Sequence, residues 1–146
     1  MNLEEREQEI VDTFTEFEDW MDKYQYLVEI GGDLPPFPEE EKNAKNLISG
    51  CQSQVWFTAT YKDGKIYYQG DSDALIVKGL VALLISVLSE GTPAEIVESD
   101  LHFIDDIGLK EHLSPTRSNG LLSMVKRMKY YAFGYAELEK KQAENK

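Results

Sequence analysis

The chain has 146 residues, 42% hydrophobic and 29% charged, with 27 acidic against 15 basic side chains and a net charge of −12. That length supports one domain around one core, and the balance is ordinary for a water-soluble globular protein. A surface this acidic repels phosphate backbones and anionic headgroups, which argues against nucleic acid and membrane as partners and leaves a basic patch on another protein open.

Ile10, Phe14, Phe17, Met21, Tyr24 and Leu27 recur at three- and four-residue steps. This is a helical stripe, read as two helices or one bent helix over about residues 3–30, with Gly31-Gly32 as its stop. Its aromatic residues are read as core. Pro35, Pro36 and Pro38 followed by Glu39, Glu40 and Glu41 allow no more than a short turn. Residues 54–61 alternate as a strand, Lys62-Asp63-Gly64-Lys65 is a turn signal, and residues 66–69 return as a second strand. A third strand is not legible. Asp71-Ser72-Asp73 precedes an apolar helix to about Ser89, with Ser72 or Asp73 expected to cap it and Gly91 to end it. Thr92-Pro93-Ala94-Glu95 carries a helix start with cap, proline at the first position and glutamate at the third. A short helix is expected within residues 101–107. Ser114-Pro115-Thr116-Arg117-Ser118-Asn119 reads as a loop and cap before a last helix from about Gly120, which runs into a polar tail at 137–146. Helix, hairpin, helices is an α+β order: a small antiparallel sheet packed against helices on one face.

The first residues show no basic segment followed by an apolar one, as a secretory signal would have. The longest apolar stretch, residues 74–88, falls short of the roughly 20 residues a bilayer span needs. With a single cysteine, these features point to the cytoplasm, where a thiol stays reduced.

That cysteine, Cys51, stands in Gly50-Cys51-Gln52-Ser53-Gln54-Val55-Trp56. One thiol makes neither an intramolecular disulfide nor a multi-thiolate metal site. It is either packing, since free cysteine is often a small buried hydrophobe, or a group that reacts with something outside the chain. A glycine before it, polar Gln52 and Ser53 after it and a strand starting at Gln54 place it on a loop at a strand mouth, where reactive groups are displayed. His102 and His112 are ten residues apart with no cysteine beside them. That is not the ligand set of a zinc site, and neither histidine is singled out as a partner for Cys51. Arg117 lies before a helix N-terminus, against the dipole, and is expected to pair with Asp73 or Asp71, to reach the thiol, or to form a surface salt bridge of little worth.

Four segments together resemble the SufE family of sulfur-acceptor proteins: Trp20 with Lys23-Tyr24 and Leu27; residues 46–56, NLISGCQSQVW; residues 70–80, GDSDALIVKGL; and residues 112–121, HLSPTRSNGL. They come in family order and span about residues 10–133 of what is read as one domain over 1–146. The resemblance implies a fold shared with IscU-type iron–sulfur scaffolds. It implies that Cys51 accepts persulfide sulfur from a cysteine desulfurase of SufS or CsdA type, stimulates that enzyme and relays the sulfur to a downstream iron–sulfur scaffold complex. The pyridoxal phosphate (PLP) belongs to the desulfurase; no cofactor and no metal is expected on this chain. Gly50, Gln52 and Ser53 are implied as the supporting loop, with Asp73 and Arg117 positioning it and responding to the partner. IscU-type scaffolds hold a cluster through several cysteines, so a monomer with one cannot act as such a scaffold. A second reading is a thiol-dependent small-molecule enzyme with Cys51 as nucleophile. It needs a dedicated base and a pocket, and the sequence displays neither. A sulfur carrier gains from a covered thiol, and Leu47, Ile48, Val55 and Trp56 are expected to wall it, with a flexible approach from Glu41.

Overall fold

A computed structural model of the chain describes residues 1–145. The elements are α1 (Leu3–Thr15), α2 (Trp20–Gly32), a 3-10 turn (Glu39–Glu41), β1 (Val55–Lys62), β2 (Lys65–Ser72), α3 (Leu75–Leu88), α4 (Pro93–Glu98), α5 (Phe103–Asp106), α6 (Leu109–His112) and α7 (Pro115–Glu144). This is the α+β arrangement expected, with one two-stranded antiparallel sheet packed against helices. No helix among the described residues is long and apolar enough to cross a membrane.

The N-terminal stripe is two helices, each with its own start. Asn2 and Glu5 form a reciprocal capping box on α1, and the Asp19 carboxylate accepts the Asp22 amide at the start of α2. The break shifts the helical phase, so Phe14 and Leu27 are buried while Met21, predicted to join them, is exposed. Gly31-Gly32 is not a left-handed cap. Both glycines lie within α2, and neither has positive φ. Gly31 instead faces Gly79 of α3, where an added β-carbon would come within 2.8 Å of the Gly79 nitrogen. Two glycines let the helix backbones touch.

α3 is the centre of the molecule. Leu80, Val81, Leu84, Val87 and Leu88 have essentially no exposure, as expected of a helix apolar on every side. Its C-terminal carbonyls are closed by Arg6, whose guanidinium donates to Val87 O at 2.9 Å and Ser89 O at 2.6 Å. Its N-terminus differs from the expectation. β2 runs on to Ser72, the N-cap is Ala74, and no side chain caps the helix. Ser72 Oγ accepts from the Ala74 amide, and Asp73 is engaged elsewhere.

The hairpin turns through Asp63 (φ 53°) and Gly64 (φ 80°), the double positive φ of a type I′ turn. No third strand forms among the described residues. In its place the chain before Cys51 runs briefly beside β1: the Ile48 amide donates to Val55 O at 2.8 Å and the Phe57 amide to Asn46 O at 3.1 Å. The Thr92 capping box on α4 is present as expected.

α7 begins five residues earlier than predicted. Ser114 is its N-cap and Pro115 occupies the first turn, so Arg117 is helical rather than in a loop. The polar tail is no separate segment either: the helix continues to Glu144, Tyr135 packs edge-on against Tyr61 at 5.1 Å, and the Tyr61 hydroxyl bonds Glu139. The Tyr68 hydroxyl, deep in the core, donates to Met128 O at 2.7 Å. This fixes α7 across the hairpin.

His102 ties the start of α5 to α1. Its Nδ1 lies 2.6 Å from Asp106, and its Nε2 lies 2.9 Å from Glu4 and 3.2 Å from Glu7. Glu7 is buried and also accepts from the Phe103 amide and the Ser99 hydroxyl. Glu4, Glu7 and His102 have the spacing a metal ion needs; here both carboxylates meet the imidazole, and Glu7 also accepts from protein donors. Burial pushes the Glu7 carboxyl up, making it the costly member of the cluster. The Asp106 hydrogen bond, aided by the charges of Glu7 and Glu4 and opposed by burial, pushes His102 up from 6.5 to about 9. A raised folded-state value means that this contribution is fully present below about pH 6.5 and fades as pH rises through about 9. The melting-temperature deficit of His102→Ala is therefore expected to be largest near pH 6 and to shrink towards pH 10. Thermal melts across that range check it, and a pH-independent deficit contradicts the clamp.

Candidate functional site around Cys51

Residues 49–54 link Ile48 to β1, and Cys51 is near the tip. The feet of this loop are pinned. On one side are the Ile48–Val55 bond and the buried Asn46, whose amide donates to Glu41 O at 2.8 Å and Glu41 Oε2 at 2.9 Å. Arg127 of α7 adds bonds to Lys45 O at 3.3 Å and Leu47 O at 3.1 Å. The approach from Glu41 is thus held in place, against the flexible approach predicted. On the other side Asp73 and Gln54 bond reciprocally: the Gln54 amide donates to Asp73 Oδ1 at 3.0 Å and the Asp73 amide to Gln54 O at 3.2 Å. Between the feet, the backbone of residues 49–53 makes no hydrogen bond to the rest of the described protein. The tip is tethered at both ends and otherwise rests on packing.

Gly50 carries φ +88°, and an added β-carbon would lie 2.6 Å from Ser123 Oγ of α7. The positive φ favours glycine there, whereas the contact is with a hydroxyl that can rotate aside. Cys51 is half-buried, and its thiol faces the Gly120 carbonyl at 3.6 Å. Gly120 of α7 lies under the thiol, where an added β-carbon would stand 3.4 Å from Sγ, an ordinary packing distance. Burial pushes the Cys51 thiol above its ordinary value, so at rest it ionises less readily than a free thiol.

The thiol opens onto a cavity of about 320 Å³ lined by Cys51, Gln52, Ser53, Val77, Ser114, Thr116, Arg117, Gly120 and Met124. Four of the six residues singled out from the sequence, Cys51, Gln52, Ser53 and Arg117, meet here. Gly50 lies at the loop's outer side against α7, and Asp73 holds the loop's foot rather than facing the cavity. Arg117 makes no ion pair among the described residues, so its expected pairing with Asp73 or Asp71 is not formed. Asp71 instead meets Lys42 and Lys78, each at 3.3 Å. Burial alone would raise Asp71, but the Ser72 amide and the two lysines outweigh it and hold the carboxyl below its ordinary value. The walls also differ from those predicted. Ile48, Val55 and Trp56 are buried away from the cavity, Lys42 lies over the Trp56 ring, the thiol rests on Gly120, and Val77 and Met124 supply the apolar part of the cavity wall. Gly120 is readable from the sequence only as a helix start; the signal that could have found it is a glycine inside a helix with no capping task. Neither histidine reaches the cavity: His102 is in its carboxylate cluster and His112 stacks on Trp20 at 4.0 Å.

The fold matches the solution structure of a hypothetical protein from Thermus thermophilus with a TM-score of 0.73 at 23% identity, over 88% of this chain and 94% of that one. At that identity the likeness concerns the fold alone. The sequence between residues 8 and 132 matches the SufE family model, described as an Fe-S metabolism associated domain. That stretch contains the Cys51 loop, its Asp73 foot and the first turns of α7, and the chain therefore belongs to the SufE family.

Proposed function

We propose that Cys51 accepts sulfur from the persulfide of a PLP-dependent cysteine desulfurase and passes it on towards iron–sulfur cluster assembly. The observation that carries this reading is a lone thiol at the tip of a loop pinned at both feet and free of backbone bonds between them. Such a tip swings outward as a unit and leaves the rest of the fold intact. Association with Fe-S metabolism comes from the family; the sulfur-accepting step is our reading of the site. The alternative, a small-molecule enzyme, needs a base beside the thiol, and among the described residues no histidine and no carboxylate lines the cavity.

Once the tip leaves Gly120, the thiol is no longer held above its ordinary pKa by burial, and the reactive fraction that ionises, its proton passing to solvent, rises. The thiolate attacks the terminal sulfur of the partner's persulfide. A Cys51–S bond forms, the partner's S–S bond breaks, and the partner's cysteine leaves as thiolate, so no oxidant or reductant is needed. Arg117, exposed beside the cavity, is placed to offset the negative charge that moves between the sulfurs. The direct test is the rate at which a SufS-type desulfurase forms alanine from cysteine without added thiol. It rises with added protein on this reading, and a rate indifferent to the protein contradicts it.

Arg117→Ala and Asp73→Ala separate positioning from stability. Each is expected to slow sulfur acceptance about tenfold, the size of one charge-assisted hydrogen bond. Arg117→Ala removes an exposed group and should leave stability within about 0.5 kcal/mol. Asp73→Ala frees one foot of the loop and should cost about 1 kcal/mol. Thermal melts set beside transfer rates check this, and rates that change no more than stability assign both residues to structure alone.

A further inference from the structure

We infer that the outward face of α7 beyond Arg127 is a second docking contact for the same partner that delivers sulfur to Cys51. The inference rests on the sulfur-acceptor reading. α7 buries Gly120, Leu121, Met124, Met128 and Ala132, yet Tyr130, Phe133 and Leu138 are 73%, 57% and 51% exposed. Together with Tyr131 and Tyr135 they line an open, apolar groove of about 450 Å³. A second groove, between Ser49-Gly50 and Lys126, Arg127 and Tyr130, joins it at Tyr130. The surface is therefore continuous from the residue before Cys51 to Leu138 of α7.

Interface size selects the occupant. A specific contact covers about 800 Å² on each partner, a disc of roughly 16 Å radius. A loop tip alone is far too small. Cys51 rests on Gly120, and Tyr130 lies ten residues further along α7, about 15 Å away. A partner of ordinary footprint centred on Cys51 therefore reaches Tyr130 at its edge, and one displaced a few ångströms along α7 also covers Phe133, about 20 Å from Gly120. Charge adds direction. On a chain of net charge −12, the strip beside the loop carries Lys126 and Arg127, and Lys126 makes no ion pair among the described residues. This fits a partner patch with an apolar centre and carboxylates at its edge, and it disfavours a second copy laying the same cations against themselves.

The test uses the double variant Tyr130→Ala, Phe133→Ala and a SufS-type desulfurase. Both side chains are exposed and alanine is the best helix former, so the fold is retained. Affinity for the desulfurase, measured by calorimetry in the Cys51→Ser background so that no sulfur moves, should fall at least tenfold, as expected for lost aromatic anchors. In the Cys51 background the double variant should regain full stimulation at saturating concentration. If single Cys51→Ser binds, wild type accepts sulfur and the double variant binds unchanged, the docking inference alone is overturned. If the double variant dissolves a self-dimer in sedimentation and leaves desulfurase affinity intact, the face is a self-association surface and the inference is likewise overturned. If wild type neither binds nor accepts sulfur, the sulfur-acceptor reading fails and takes this one with it.

Discussion

Cys51→Ala is expected to abolish stimulation of the desulfurase completely while the protein melts within a few degrees of wild type. The chain contains no second thiol, so no neighbour can take over the transfer. The structural loss is small: one sulfur atom, half-buried, on a tip whose backbone makes no hydrogen bond to the rest of the described protein. Removing such a group costs about 1 kcal/mol or less, and in a chain of this size 1 kcal/mol moves the melting temperature by about 2–4 °C. The loop feet, held by Asp73, Asn46 and Arg127, do not involve the thiol. Turnover assays and melts on the same preparation check both halves. Undiminished stimulation by the variant would sink the acceptor role and leave docking as the cause of activation.

Gly79→Ala is expected to lower stability by about 2 kcal/mol, or roughly 4–8 °C in melting temperature. Two effects oppose each other. Alanine in a helix interior gains about 1 kcal/mol over glycine. Its β-carbon, however, would sit 2.3 Å from Leu27 O and 2.6 Å from the Leu27 carbonyl carbon, both backbone atoms of α2 that no rotamer change can move. The helices must separate, and overpacking of this kind costs about 3 kcal/mol. The clash wins. Gly32→Ala is the control. Nothing lies within 4 Å of its added β-carbon, so it should be neutral or slightly stabilising. Denaturant titration of both variants checks the pair, and a Gly79→Ala protein as stable as wild type contradicts the close helix crossing.

The two glycines show where sequence reading stops. A glycine pair after an apolar stripe looks like a helix stop, because the reason for Gly31 lies at Gly79, 48 residues away. The hairpin is legible because its cause is local: alternation, then Asp63-Gly64. The Thr92 capping box is legible for the same reason, and so is α3, where an apolar run has nowhere to go but the core. The start of α7 is easily misplaced because Ser114-Pro115 is a valid cap and first turn, while the polar residues after it look like loop. At the site, Cys51, Gln52, Ser53 and Arg117 are found by composition and resemblance. The cavity wall of Gly120, Met124 and Val77 is not, because it depends on α7 and α3 meeting the loop from distant parts of the chain. Asp73 reads locally as a helix cap, its positioning role being implied only by the resemblance; in the structure it caps no helix and accepts the Gln54 amide instead, a contact between residues 19 positions apart that the local sequence does not announce.

The most direct measurement is the intact mass of the protein after incubation with a SufS-type desulfurase and cysteine, followed by removal of small thiols and peptide mapping. The account predicts one added sulfur atom, carried on the peptide containing Cys51 and released by a reducing thiol. An unchanged mass while the desulfurase turns over, or added sulfur on any other residue, would contradict it.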